Sequence, residues 1–124
     1  MSIPLTTDLG NGEEWCQTSR QLRLKLNNTV ISFDDVHGFQ NYMGCPEFDI
    51  KFNIRPTVNR WGTAWKRKGR IGAELYRKSV KVFLHEFAHC YLFKLNQSDG
   101  HGPNFGKTMD YIIEMWFKYK GKEM

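Results

Sequence analysis

The stretch that decides the fold is Val80-Lys81-Val82-Phe83-Leu84-His85-Glu86-Phe87-Ala88-His89-Cys90-Tyr91-Leu92-Phe93-Lys94-Leu95. Val80, Phe83, Leu84, Phe87, Ala88, Tyr91, Leu92 and Leu95 recur at three- and four-residue intervals, the stripe of a helix packed on a core. Between Val82 and Phe93 the segment is apolar nearly all round, and only His85, Glu86, His89 and the modestly polar Tyr91 interrupt it. An ionisable group on a buried helix is costly unless it is paired or bound to a metal.

Working outward, the pattern upstream of this helix is β. Phe48, Ile50, Phe52 and Ile54 alternate with Asp49, Lys51, Asn53 and Arg55, which predicts a half-buried strand ended by Pro56. Trp61–Trp65 and Arg70–Leu75 then read as two short strands around the charged turn Lys66–Gly69. Trp61 and Trp65 share one strand face and are expected in the core. Downstream, after a loop over Asn96–Gly102, Pro103 suits the first turn of a second helix, whose stripe is Phe105, Met109, Ile112 and Trp116. Strands followed by helices predict an α+β domain with a small, mostly antiparallel sheet.

The N-terminal third is less decisive. Residues 1–13 read as a loose lead-in. Leu22, Leu24 and Leu26 alternate as in a strand that turns at Asn27-Asn28 into Thr29–Phe33, yet a helix from Trp15 to Leu22 fits almost as well. Residues 33–43 fit a short helix with Val36, Phe39 and Met43 inward, and Gly44 then Pro46 as stop signals.

Composition narrows the classes. At 124 residues with 40% hydrophobic and 15% aromatic content, the chain is expected to form one ordered domain over 1–124. No apolar run is long enough to span a bilayer, and Met1 to Gly12 lacks a basic-then-apolar leader, so a cytoplasmic protein without membrane contact is expected. Cys16, Cys45 and Cys90 contain no Cys-x-x-Cys and are expected to be reduced, mostly buried thiols. The net charge of +5 is concentrated in residues 51–81, where ten basic residues face Glu74 alone. That block marks DNA or another phosphate backbone as a candidate partner, against the plainer reading of a solvated strand-and-turn face. Nothing in the sequence fixes an oligomeric state, and a monomer is the expectation.

The chemistry lies in His85-Glu86-Phe87-Ala88-His89. Two histidines four apart project from one helix face one turn from each other, so both rings can grip a single cation. Glu86 points about 100° round the helix, close enough to hold a water that the metal also holds. This is the His-Glu-x-x-His arrangement of zinc-dependent peptidases, and it needs a third ligand. His101, twelve residues after His89 and flanked by Gly100 and Gly102, is favoured; those glycines permit the backbone turn that would bring its ring back. Glu114, Asp110 and Asp99 are the carboxylate rivals, and His37 is left as a surface or cap residue.

His85–His89 followed by Tyr91-Leu92-Phe93 and Gly100-His101-Gly102-Pro103-Asn104-Phe105, with Trp61-Gly62-Thr63-Ala64-Trp65 and Arg70–Leu75 before them, resembles the SprT-like (Spartan-type) metallopeptidase family over roughly residues 48–117. The resemblance implies a minimal zincin-like domain, one zinc ion on His85, His89 and His101, and Glu86 as the catalytic acid/base. It implies a zinc-dependent endopeptidase that hydrolyses protein substrates with zinc-activated water, including proteins bound or crosslinked to DNA. An extended substrate would pair with a sheet edge, for which Trp61–Trp65 is the candidate. Tyr91, Tyr111 and Arg70 are the candidates for oxyanion donor. Many relatives also carry a cysteine-based zinc module, which has no counterpart among the three cysteines, so DNA contacts made through it do not carry over. The rival readings are a non-catalytic, zinc-stapled nucleic-acid-binding module and a zinc hydrolase acting on a non-peptide amide.

Overall fold

The computed structural model describes residues 26, 28–55, 57–97 and 100–122. The lead-in 1–13, the strand-or-helix question over 14–25, Cys16, Pro56 and Asp99 lie outside the described residues. At Leu26 the backbone is helical and the side chain buried, against the strand reading at that position. Thr29–Phe33 is not a strand either: Val30 makes one isolated bridge with Ser79, and Phe33 already opens a helix.

That helix, α1, spans Phe33–Tyr42. It begins where Ser32 accepts a hydrogen bond from the Asp35 amide at 3.1 Å, satisfying one of the orphan donors of the first turn. It stops before Gly44, whose φ of +72° only glycine adopts without strain. Three strands follow: β1 Asp49–Phe52, β2 Gly62–Arg67 and β3 Arg70–Leu75. Both hairpin strands reach the turn because only Lys68 and Gly69 form it, at φ +50° and +80°. Positive φ at both central positions is the type I′ geometry that matches the twist of paired strands.

The strands are ordered β1-β3-β2. β2 and β3 pair antiparallel, from Gly62↔Leu75 to Arg67↔Arg70, and β1 pairs parallel with β3, from Asp49↔Gly72 to Phe52↔Leu75. Antiparallel pairs therefore outnumber parallel ones, as expected, and β2 is an outer strand. Two helices complete the chain, α2 over Val80–Lys94 and α3 over Pro103–Lys122. α2 packs on β2, β3 and α3. The result is the expected α+β, minimal zincin-like architecture.

The core lies between the sheet and the helices. Ala73 and Leu75 of β3 and Ile50 of β1 are buried, as are Phe83, Leu84, Phe87 and Leu92 of α2. Phe39 of α1 is fully buried, and its ring lies 5.8 Å from Phe83, 5.0 Å from Phe87, 5.4 Å from Trp116 and 5.7 Å from Tyr119. Such edge-to-face pairs each add about 0.5–1.5 kcal/mol beyond the burial of their area. Cys45 and Cys90 are buried free thiols, as read from the sequence.

Trp61 and Trp65 are not core residues. Side chains alternate along a strand, and the Gly62–Ala64–Lys66 set faces α2 while Trp61 and Trp65 take the other face. Trp61 is 44% exposed. The Trp65 ring lies over Gly72, where an added Cβ would collide with it. Arg77 and Arg67 cover the two indoles, each with its guanidinium 5.7 Å from the ring centre.

Candidate metal centre

α2 carries His85, Glu86 and His89 on the side that turns towards β2 and the start of α3. Between α2 and β2 lies a cavity of about 640 Å³ that all three line, together with His101. His101 reaches it from the α2–α3 connection, where Gly100 has a φ of +70°. Of the two flanking glycines, Gly100 makes the turn expected from the sequence, and Gly102 is not in the left-handed region.

The three rings converge through one atom each. His101 Nε2 lies 3.2 Å from His89 Nε2 and 3.2 Å from His85 Nε2. Hydrogen bonding alone does not account for this, because a neutral imidazole carries one proton and cannot donate from the same nitrogen to two neighbours. A shared cation does account for it. Nitrogens at zinc-ligand distance on a tetrahedral ion stand about 3.3 Å apart. His85, His89 and His101 are the group among the described residues whose ligand atoms, all within 4.8 Å of one another, could hold a metal ion. Asp110 and Glu114, the carboxylate rivals, are not in it; Glu114 faces Lys118 at 3.9 Å. His37 is exposed against the Phe33 ring at 4.4 Å, in keeping with a surface role.

Glu86 is buried beside this group, 6% exposed. Burial pushes its carboxyl up to about 7, against a smaller downward pull from the Arg60 guanidinium. Burial also lowers the His89 pKa, with the nearby His101 acting in the same direction. Both shifts favour neutral side chains, and a neutral imidazole is the form that ligates.

Two supporting residues escaped the sequence reading. Phe105 packs on all three rings, at 4.8 Å from His85, 4.4 Å from His89 and 5.0 Å from His101. It is four residues beyond His101 and belongs to the apolar stripe of α3, so its spacing signalled only core. Gly62 is the second: a Cβ there would come within 3.0 Å of Glu86 Cγ and Oε2. A glycine inside a strand is the usual sign of such a close approach. The candidates for oxyanion donor, Tyr91, Tyr111 and Arg70, are not among the residues lining this cavity. Tyr91 and Tyr111 neighbour each other with ring centres 6.0 Å apart, Arg70 lines a second cavity, and Arg60 is the arginine at the main one.

A sequence model of the SprT-like family matches residues 46–122, from just before β1 to the end of α3. The chain belongs to the SprT-like family. The match spans every element that builds this SprT-like site, including the sheet edge, α2, the His101 loop and the start of α3. No curated protein and no solved structure matches the chain. Among the described residues of this SprT-like chain, no helix is long and apolar enough to cross a membrane.

Proposed function

We propose that this chain is a zinc-dependent endopeptidase in which His85, His89 and His101 hold one zinc ion through Nε2 and Glu86 is the general base. The observation that carries the reading is the convergence of three imidazole nitrogens beside a buried carboxylate, in a cavity lined by β2, which is an outer strand among the described residues. When bound, the ion supplies Lewis acidity at the scissile carbonyl and makes water acidic enough to ionise near neutral pH. Glu86 takes the proton of the attacking water on a carboxylate oxygen and delivers it to the departing amide nitrogen. Phe105 fixes the ring planes and keeps water from that side of the histidines.

The substrate enters as an added strand. Trp61 O accepts from the Tyr76 amide at 2.9 Å, so Trp61, Thr63, Trp65 and Arg67 turn their backbone groups towards β3. Gly62, Ala64 and Lys66 therefore direct theirs to the other edge, unpaired among the described residues, where an extended peptide can pair beside the cavity. The decisive experiment is Glu86→Gln. Zinc content should stay at one ion per chain while cleavage of a denatured protein is lost; equal cleavage by the variant removes the enzyme assignment.

A second reading draws on the outer sheet face. Trp61 with Arg77 and Trp65 with Arg67 combine stacking surface with positive charge, the pairing that single-stranded nucleic acid uses. DNA is accordingly proposed as a partner of the 51–81 region. If zinc only staples α2 to α3 and the chain is a binding module, DNA affinity will fall with salt, collapse on chelation and ignore Glu86→Gln.

A further inference from the structure

A second cavity, of about 410 Å³, adjoins the first at Phe93, which lines both. It sits between the β2–β3 hairpin and the end of α2, and its lining includes Lys66, Arg70, Lys94, Glu47 and Asn96. Three cations thus face one carboxylate. Lys94 is taken up by Glu47 at 2.9 Å, and Arg70 lies 3.7 Å from Asp49. Lys66 differs from both. Its Nζ donates to Phe93 O at 3.3 Å and Asn96 Oδ1 at 2.8 Å, both neutral, so no carboxylate among the described residues balances its charge.

The tether gives Lys66 a defined position. Its two acceptors belong to the last turn of α2 and to the residue at φ +56° just beyond it, so the ammonium is held in place before any ligand arrives. Two of its three donors are used, and the third is available to the cavity. Lys66 is also in register with the catalytic edge. It shares with Gly62 and Ala64 both the outward-directed backbone and the face towards α2. Four residues of strand separate it from Gly62, about 13 Å at ~3.3 Å per residue. A peptide strand paired with β2 and passing Glu86 at Gly62 would therefore place a side chain of the same face over Lys66 about four residues from the bond being cut.

We infer that Lys66, flanked by Arg70 and Lys94, is a specificity subsite for an acidic side chain about four residues from the scissile bond of a peptide substrate. The inference rests on the peptidase reading for its position relative to the cut, and two measurements separate them. The first is the cleavage-site profile of the zinc-loaded chain on a complex peptide mixture, read by mass spectrometry. Asp and Glu should be enriched at least ~3-fold at one position three to five residues from the cut, and cleavage without that enrichment overturns the subsite while leaving the peptidase intact. The second needs no turnover. Two rhodamine-labelled Ala/Ser dodecamers, differing only in a central Glu or Gln, are titrated into Glu86→Gln protein and followed by anisotropy. The Glu peptide should bind ~5–10-fold tighter; Lys66→Gln should erase the difference, while Lys66→Arg and Arg67→Gln, the latter on the opposite face, should keep it. Equal binding of the two peptides, or a preference that survives Lys66→Gln, overturns the subsite. A Glu preference without cleavage of any peptide sinks the peptidase reading instead.

Discussion

The two sides of α2 are built on opposite rules. On one, Phe83 and Phe87 sit at 0% exposure within the aromatic cluster around Phe39, with Phe48 and Trp116 adding rings at 5.4 and 6.2 Å. On the other, two imidazoles and a carboxylate occupy positions where apolar side chains would pack at less cost. The first side gives the helix its rigidity, and the second uses that rigidity to aim three polar side chains at one point. Stability and chemistry are thus separable on a single helix, and substitutions can pull them apart.

The largest expected effects form a crossed pair. Phe87→Ala removes a fully buried ring and should lower unfolding free energy by about 3–5 kcal/mol in urea denaturation. His89→Ala should change metal-free stability by less than about 1 kcal/mol. Its effect should appear as a loss of zinc affinity on the order of hundreds-fold, measured by competition with a chromophoric chelator. If His89→Ala also unfolds the metal-free chain, the division between the two sides fails.

The Glu86 carboxyl sits at about 7 in the fold, above its ordinary value, so the folded chain holds a proton that the unfolded chain releases. Its contribution to stability is therefore intact in acid and is lost as pH rises from about 4.5 through 7, by up to about 3 kcal/mol in the metal-free protein. Glu86→Gln should remove that slope, and the difference between wild type and variant in urea midpoint, in chelator at pH 4 to 8, reads it directly. The downward shift of His89 acts in the opposite sense, since its contribution is lost as pH falls, and both proteins share it.

Smaller effects belong to the strand opposite. Gly62→Ala puts a methyl 3.0 Å from Glu86 Cγ and 3.1 Å from Glu74 O, so Glu86 must yield. We expect a loss of about 1–2 kcal/mol and roughly tenfold slower cleavage with zinc content unchanged. Smallest of all, Trp61→Ala should cost under about 1 kcal/mol in thermal unfolding, because the residue is 44% exposed on the face away from α2.

The Trp61 result marks where the sequence stops being legible. The helix and its two histidines are local, since spacing along a helix dictates which side chains meet. The strands were also readable from alternation, but the turn read as Lys66–Gly69 is only Lys68-Gly69, because Lys66 and Arg67 continue β2. Which strand face is covered is not local. It depends on strand order, and β1-β3-β2 places β1 beside a strand some twenty residues away in the chain. With the described helices packed on one face, the alternation that puts Ala73 and Leu75 inside puts Trp65 on the other, and tryptophan content alone cannot distinguish the two. Phe105 and Gly62 were missed for the same reason: their partners lie on other elements, and only the register reveals the contact.

The outer edge of β2, unpaired among the described residues, has a consequence for how copies of the chain meet. An uncovered strand can pair with any extended backbone, including the same strand of another molecule. β2 carries Lys66 and Arg67 among its six residues, with Arg60 just before it, so two such edges would bring cations of both copies to the junction. Like charges opposed in that way discourage self-pairing, so an edge open to foreign strands turns its own kind away.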